Sequence, residues 1–309
     1  MIIIAYRNLV LTRPAVVKCK NKQLQLDMDI EGFHSVPIED ISNIMVESDG
    51  VQISSHALRE LAANGTTVFF CDATHLPCGV LLPLSTHSRQ LKILQSQLSL
   101  KKPLKKRLWQ KIIQRKITNQ AECLRISNNQ HGYKELQALA NKVQSGDSTH
   151  IESQAALKYF RLLFGNKFRR RNQSTSKDID IINSALNYGY SIIRGAIART
   201  LVVYGFEPSL GLFHHNETNR FNLADDLLEP FRPLVDLYTY VNVHGDKLMP
   251  LHKRNLFGLL NYELQSGNEN HSVVYSIERL VKSLSSIYQK NEGELLLPKL
   301  NSLKLHTYE

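Results

Sequence analysis

The chain has 309 residues, 42% of them apolar and 21% charged, with a formal net charge of +10. That balance describes a folded globular protein with room for two domains of ordinary size and excludes a disordered or low-complexity chain. No run approaches the roughly eighteen consecutive apolar residues of a membrane span. The start MIIIAYRNLVLTRP lacks the layout of a signal peptide, so a cytoplasmic location without membrane partners is expected.

Up to about residue 84 the chain reads as short strands between turn signals: Ile2–Ala5, Leu9–Leu11, Ala15–Lys18, Leu24–Met28, His34–Val36, Ile44–Val46 and Gly50–Ile53. SSHALRELAANG then has apolar residues at helical spacing and a glycine to stop it, and TTVFFCD and CGVLLPL return to strand character. The composition changes near Pro83 to Arg89. Cys19, Cys71, Cys78 and Cys123 match no zinc or redox spacing and are read as reduced thiols.

Beyond that boundary the pattern is helical. Leu91, Leu94, Leu98, Leu108, Ile112 and Ile113 repeat at turn spacing through Arg89–Ser127, interrupted by Pro103. Between Ser85 and Asp180 stand 20 Lys+Arg against 6 Asp+Glu, while the rest of the chain holds 18 against 22, so the middle is the basic part. Its densest runs, KKPLKKR (Lys101, Lys102, Lys105, Lys106, Arg107) and KFRRR (Lys167, Arg169, Arg170, Arg171), together with Lys111, Arg115 and Lys116, suit a polyanion contacted along its phosphates. A solvated helix face is the alternative for either run alone.

A polar break at Gln144–Thr149 precedes a helix in which Glu152, Ala155, Ala156, Tyr159 and Phe160 fall on one stripe. A carboxylate there is costly unless protonated, paired or bound to a cation. The competing explanation is a glutamate favoured in the first turn by the helix dipole. Further helices are expected over 178–204, 223–229, 234–243, 252–265 and 273–288. Gly189 and Gly195 permit close helix packing, and Tyr188 and Tyr190 pack, hydrogen-bond a neighbour or stack on a base.

The stretch GLFHHNETNRFNLADDLLEPFRP, Gly211 to Pro233, sets two histidines and spaced carboxylates around a short helix. Asp225, Asp226 and Glu229 share or flank one face, so Glu229 can project beside either aspartate toward a common cation, and Pro230 ends or kinks the helix.

Taken together, TVFFCDATHLPCGVLLPL, ESQAALKYF, LNYGY and GLFHH…NLADDLLEPFRP resemble the integrase subunit of CRISPR adaptation, a metal-dependent DNA endonuclease and integrase family, with a type II flavour. The resemblance spans almost the whole chain. It implies an α+β fold: a β-rich N-terminal domain with a small helix over 1–84 that dimerises, a linker over 85–92, and a larger all-α catalytic domain over 93–309. It also implies Glu152, His214 and Glu229 as catalytic ligands of Mg²⁺ or Mn²⁺, with Asp226 in a supporting place and His214 preferred over His215. The implied partners are double-stranded DNA (prespacer and CRISPR repeat), a second copy of the chain, and a small ferredoxin-like adaptation subunit completing a heterohexamer, with other type II adaptation and effector proteins as further candidates. The basic runs and Arg59 would then lie along DNA phosphates, Arg59 equally suiting a dimer interface.

Overall fold

In the computed structural model, residues 7–28, 32–72, 77–82, 90–171 and 180–307 are described. Strands β1 (Arg7–Leu11), β2 (Ala15–Lys20), β3 (Gln23–Met28), β4 (Gly32–Pro37), β5 (Ile41–Val46) and β6 (Val51–Ile53) are followed by helix α1 (Ser55–Ala63), then β7 (Thr67–Cys71) and β8 (Pro77–Leu81). They form two four-stranded sheets, ordered β4-β3-β2-β6 and β1-β5-β7-β8. The β2–β3 turn places Asn21 and Lys22 at φ 52° and 60°, the geometry that matches a two-residue hairpin to strand twist. β5, ISNIMV, is buried at every position, as expected of a strand paired in parallel with both β1 and β7. Leu24, Leu26, Ile41, Ile44, Ala57, Leu61 and Val68 belong to the core of this unit. The expected strand Ile2–Ala5 lies outside the described residues.

The chain then forms α2 (Gln90–Ser99), α3 (Lys102–Ile126), α4 (Gln130–Ala140), α5 (Ile151–Phe164), α6 (Ile181–Val203), α7 (Asn222–Leu228), α8 (Arg232–Asn242) and α9 (Pro250–Phe257). It closes with β9 (Tyr262–Ser266), β10 (Glu269–Ser272), α10 (Val273–Lys290) and β11 (Lys299–Leu305). Contacts divide it into one unit of Met1–Gln90 with Arg199–Phe206, and another of Leu91–Ala198 with Glu207–Glu309. The end of α6 therefore groups with the β-rich unit, where Arg199 Nε donates to the carbonyl of Gly65.

Three expectations are corrected. Of the linker over 85–92, residues 85–89 lie outside the described residues and 90–92 already begin α2. The interruption expected at Pro103 is met: α2 ends at Ser99, and Pro103 sits in the first turn of α3, where its missing N–H has no partner to lose. The helical unit also holds an antiparallel sheet, β10-β9-β11, so it is not all-α. The apolar run expected as a helix over 252–265 ends at Phe257, passes through a 3₁₀ turn at Gly258–Asn261, and continues as β9. Short apolar runs of this kind carry no period that separates strand from helix.

Candidate active site

α3 is the scaffold. Most of its apolar residues are buried, and Lys116 lies among Ile112, Ile113 and Ile117 on a face that is otherwise core. Its Nζ is 2.6 Å from Glu152 Oε1 and 2.5 Å from Glu229 Oε2, bringing together two acids 77 residues apart in sequence.

Glu152 is held by the turn before α5. Gly146, Asp147 and His150 all have positive φ, reversing the chain so that Asp147 accepts the amides of Ile151 at 2.9 Å and Glu152 at 3.1 Å. That carboxylate satisfies two N–H groups that a helix start leaves unpaired. The first-turn explanation for Glu152 and the pairing explanation thus hold together: the residue sits in the first turn and also pairs with Lys116.

Glu229 follows α7, its side chain only 6% exposed. Arg232 Nε donates to Oε1 at 2.9 Å, which leaves Oε2 facing Lys116. Burial works against the ionised form, but Arg232 and Lys116 outweigh it and hold the carboxyl down at about 2. Burial likewise opposes the Lys116 charge, and Glu229 and Glu152 raise its pKa in spite of it. Arg232 in turn lies over the Tyr190 ring, 4.4 Å from its centroid, and Tyr190 OH donates to buried Asp236, which also accepts Tyr159 OH at 3.0 Å. Burial pushes the Asp236 carboxyl up to about 6 against the pull of those two hydroxyls. Tyr190 thus packs and also hydrogen-bonds a neighbour, and Tyr188 is wholly buried.

His214 is placed by Asp226, whose carboxylate is fully buried. It accepts the amides of Leu212 at 2.6 Å, Phe213 at 3.0 Å and His214 at 3.2 Å, and contacts His214 Nδ1 at 2.6 Å. Gly211 is required at the start of this loop, because a Cβ there would meet the His214 carbonyl and lie 2.9 Å from Asp226 Oδ2. With Nδ1–H donated to Asp226, the neutral ring presents Nε2 as the lone-pair nitrogen. The same hydrogen bond raises the imidazole pKa against the opposing effect of burial, and the charges of Asp226, Glu229 and Asp225 raise it further. Trp109, seven residues before Lys116, stacks on Phe213 at 4.3 Å and meets the His214 ring edge-on at 5.6 Å.

His215 is exposed and lines a different opening, with Ser209, Asn216 and Asn219. Asp225 accepts Asn219 Nδ2 at 2.7 Å and lies 3.7 Å from Arg194 Nη1. Neither residue joins the Glu152–Lys116–Glu229 cluster in the contacts described. Among the described residues, no group of three or more His, Cys, Asp or Glu side chains is gathered closely enough to hold a metal ion by itself. Two acids are instead bridged by an ammonium, with His214 turned by Asp226.

The residues nonetheless fit a divalent cation. Glu229 Oε2 is buried and has the Lys116 contact but no hydrogen bond of good geometry. Two hard carboxylates and an oriented imidazole are donors suited to Mg²⁺ or Mn²⁺. Sequence reasoning did not single out Arg232, Asp147 or Trp109, and it counted Lys116 among the basic residues suited to a polyanion; that expectation is corrected, because Lys116 is buried between two acids. The signal for Lys116 was present, since a lysine inside an isoleucine stripe raises the same question as Glu152 does.

The basic candidates separate. Lys101, Lys102, Lys106 and Arg107 are exposed at the start of α3, and Lys105 is half-buried. Lys167, Arg169 and Arg171 are exposed, Arg169 also bonding the carbonyls of Asn166 and Phe168. Arg170 turns inward: it donates to Asn183 Oδ1 at 2.9 Å and Asn187 Oδ1 at 2.6 Å, and lies over Tyr190. Its expected place on a phosphate gives way to a structural one, because packing the guanidinium against two amides and a ring occupies its donors. Arg59 is exposed on α1 beside His56 and Glu60.

The architecture is shared with solved structures. The chain matches a casposase bound to integration product with a TM-score of 0.75 at 20% identity, covering 94% of this chain and 92% of that one. A Cas1 protein from Thermotoga maritima matches with a TM-score of 0.70 at 16% identity, covering 92% and 97%. The fold class is thus that of Cas1 and casposase proteins. In sequence, residues 9–248 match the family model described as CRISPR associated protein Cas1, and the chain belongs to that family. It is 40% identical to the CRISPR-associated endonuclease Cas1 of Neisseria meningitidis serogroup C, over 98% of this chain and 99% of that protein.

Proposed function

We propose that the chain is a divalent-metal-dependent DNA endonuclease and integrase that inserts spacers into the CRISPR array of a type II system by transesterification. The observation that carries this is the convergence of Glu152 and Glu229 on one point, together with a histidine that feels the Glu229 charge and whose orientation is dictated by a buried aspartate. Glu152, Glu229 and His214 Nε2 would hold Mg²⁺ or Mn²⁺, and the ion would supply Lewis-acid polarisation of the scissile phosphate and activation of the attacking 3′-hydroxyl or water. The chain's own part is positional. Asp147 fixes the start of α5, Arg232 pins one oxygen of Glu229, and Asp226 keeps His214 in the tautomer that can ligate.

The exposed lysines at the start of α3 would follow prespacer and repeat backbones, with Lys167, Arg169, Arg171 and Arg59 as secondary contacts. Dimerisation through the β-rich unit, a heterohexamer with a small ferredoxin-like subunit, further type II adaptation and effector proteins, and a cytoplasmic setting complete the proposal. Among the described residues no helix is long and apolar enough to cross a membrane. The test is joining of a labelled duplex with free 3′-hydroxyl ends into a supercoiled repeat-bearing plasmid, with Mn²⁺ and the adaptation subunit present. Glu152→Ala, His214→Ala and Glu229→Ala should each abolish joining while leaving duplex binding in gel shift. Joining at the parental rate by any of the three removes that residue from the site.

A further inference from the structure

The ammonium of Lys116 occupies the point on which Glu152 and Glu229 converge. It lies 2.6 Å from one glutamate and 2.5 Å from the other, distances at which the two oxygens already face a single cation. Lys116 is 9% exposed by side chain, and its stem is fixed within α3 among buried isoleucines. Arg232 cannot take over both acids, since its described contact is with Glu229 Oε1 on the other side of that carboxylate. Without Lys116, Glu152 and the buried Glu229 Oε2 would face each other with only one nearby counter-charge, a costly arrangement in a low-dielectric interior.

The geometry points to Lys116 as a built-in stand-in for the metal, holding the two acids together in the metal-free protein and leaving their shared point when a divalent ion enters. This inference rests on the metal-site reading above and adds an exchange to it. Two cations cannot share a point lined by the same pair of oxygens, because each would lie inside the other's contact distance and repel it. The ion brings two charges to two carboxylates where the ammonium brought one, so metal wins at sufficient concentration, but only after displacing a tethered competitor. The site is thereby pre-assembled before metal arrives, at a cost in affinity.

The test uses the full chain and MnCl₂ as the probe. Calorimetric titration should show Mn²⁺ binding about tenfold or more tightly to Lys116→Met than to the parent. In the metal-free state the same variant should unfold at lower temperature, and saturating Mn²⁺ should recover a larger part of the loss than the parent gains. Lys116→Gln serves if the methionine variant does not fold. A measurement on the parent alone is independent of any variant: acetic anhydride labelling read by peptide mass spectrometry should modify Lys116 several-fold faster in saturating Mn²⁺ than in chelator. Unchanged or weaker Mn²⁺ affinity in the variants, or equal labelling with and without Mn²⁺, overturns the stand-in role while leaving the metal site intact. Absence of Mn²⁺ binding by the parent, Lys116→Met and Lys116→Gln alike overturns the metal reading itself.

Discussion

Asp226 carries more of the site than its supporting place in the sequence motif suggests. One buried carboxylate accepts three successive backbone amides and orients a ring, so it shapes the loop and selects the tautomer together. Asp226→Asn replaces one acceptor oxygen with an NH₂ that faces amide donors. We expect a loss of about 2–3 kcal/mol of stability in urea unfolding. Strand joining should fall about 10–100-fold in steady-state assays at fixed Mn²⁺, with part of the loss restored by raising the metal concentration. The linked pH effects have opposite signs. His214 has a folded pKa above the ordinary imidazole value, so its pairing with Asp226 stabilises the metal-free chain fully below about pH 6.5 and fades as pH rises through the raised value. Metal needs the neutral ring, so the acid limb of Mn²⁺-supported joining should lie above the normal histidine range. Glu229, held at about 2, contributes stability above its unfolded value near 4.5, and this is lost as pH falls toward 2.

Among the elements, α3 ties distant segments together through its buried polar residues as much as through its apolar ones. One turn beyond Lys116, Asn119 donates to the carbonyls of Pro230 at 2.7 Å and Pro298 at 3.0 Å and accepts the Leu300 amide at 3.1 Å. It thereby fixes the proline that follows Glu229 and the start of β11 from one side chain. Asn119→Ala should cost about 2–4 kcal/mol by leaving buried backbone groups unpaired. Hydrogen exchange should speed in β11 and around Pro230 before it changes in α4 or α10. Gly189 of α6 faces Val235 of α8 at a distance no Cβ tolerates, so Gly189→Ala should destabilise by about 1–3 kcal/mol through overpacking, measured by the same unfolding assay.

For the whole molecule, charge distribution separates binding from folding. The four exposed cations Lys101, Lys102, Lys106 and Arg107 stand at the start of one helix, whereas Arg170 is held by Asn183, Asn187 and Tyr190. Neutralising the four to glutamine should make the slope of log affinity against log salt for a DNA duplex shallower by about 3 to 4, if each meets one phosphate. Arg170→Gln should lower thermal stability and leave that slope unchanged. Salt-titrated fluorescence anisotropy with parallel thermal melts distinguishes the two outcomes.

The sequence by itself determined the β-then-α order of the chain, the elements whose periodicity is long or whose turns are marked, and the residue types of the site. Period-two strands, period-3.6 helices and the Gly-His-Asp-Glu stretch are local properties, and β2, β5, α5, α7 and α10 follow from them. It left Asp225 and Asp226 equivalent until the family resemblance was invoked, and it contained no sign that the run after Leu256 would become a strand paired with β11. The tertiary structure alone decided how Asp226 binds the loop that carries His214, that Arg170 turns inward, and that Lys116 sits between Glu152 and Glu229. Each of these depends on which side chains meet across dozens of residues, where desolvation and pairing energies are settled by packing rather than by any pattern along the chain.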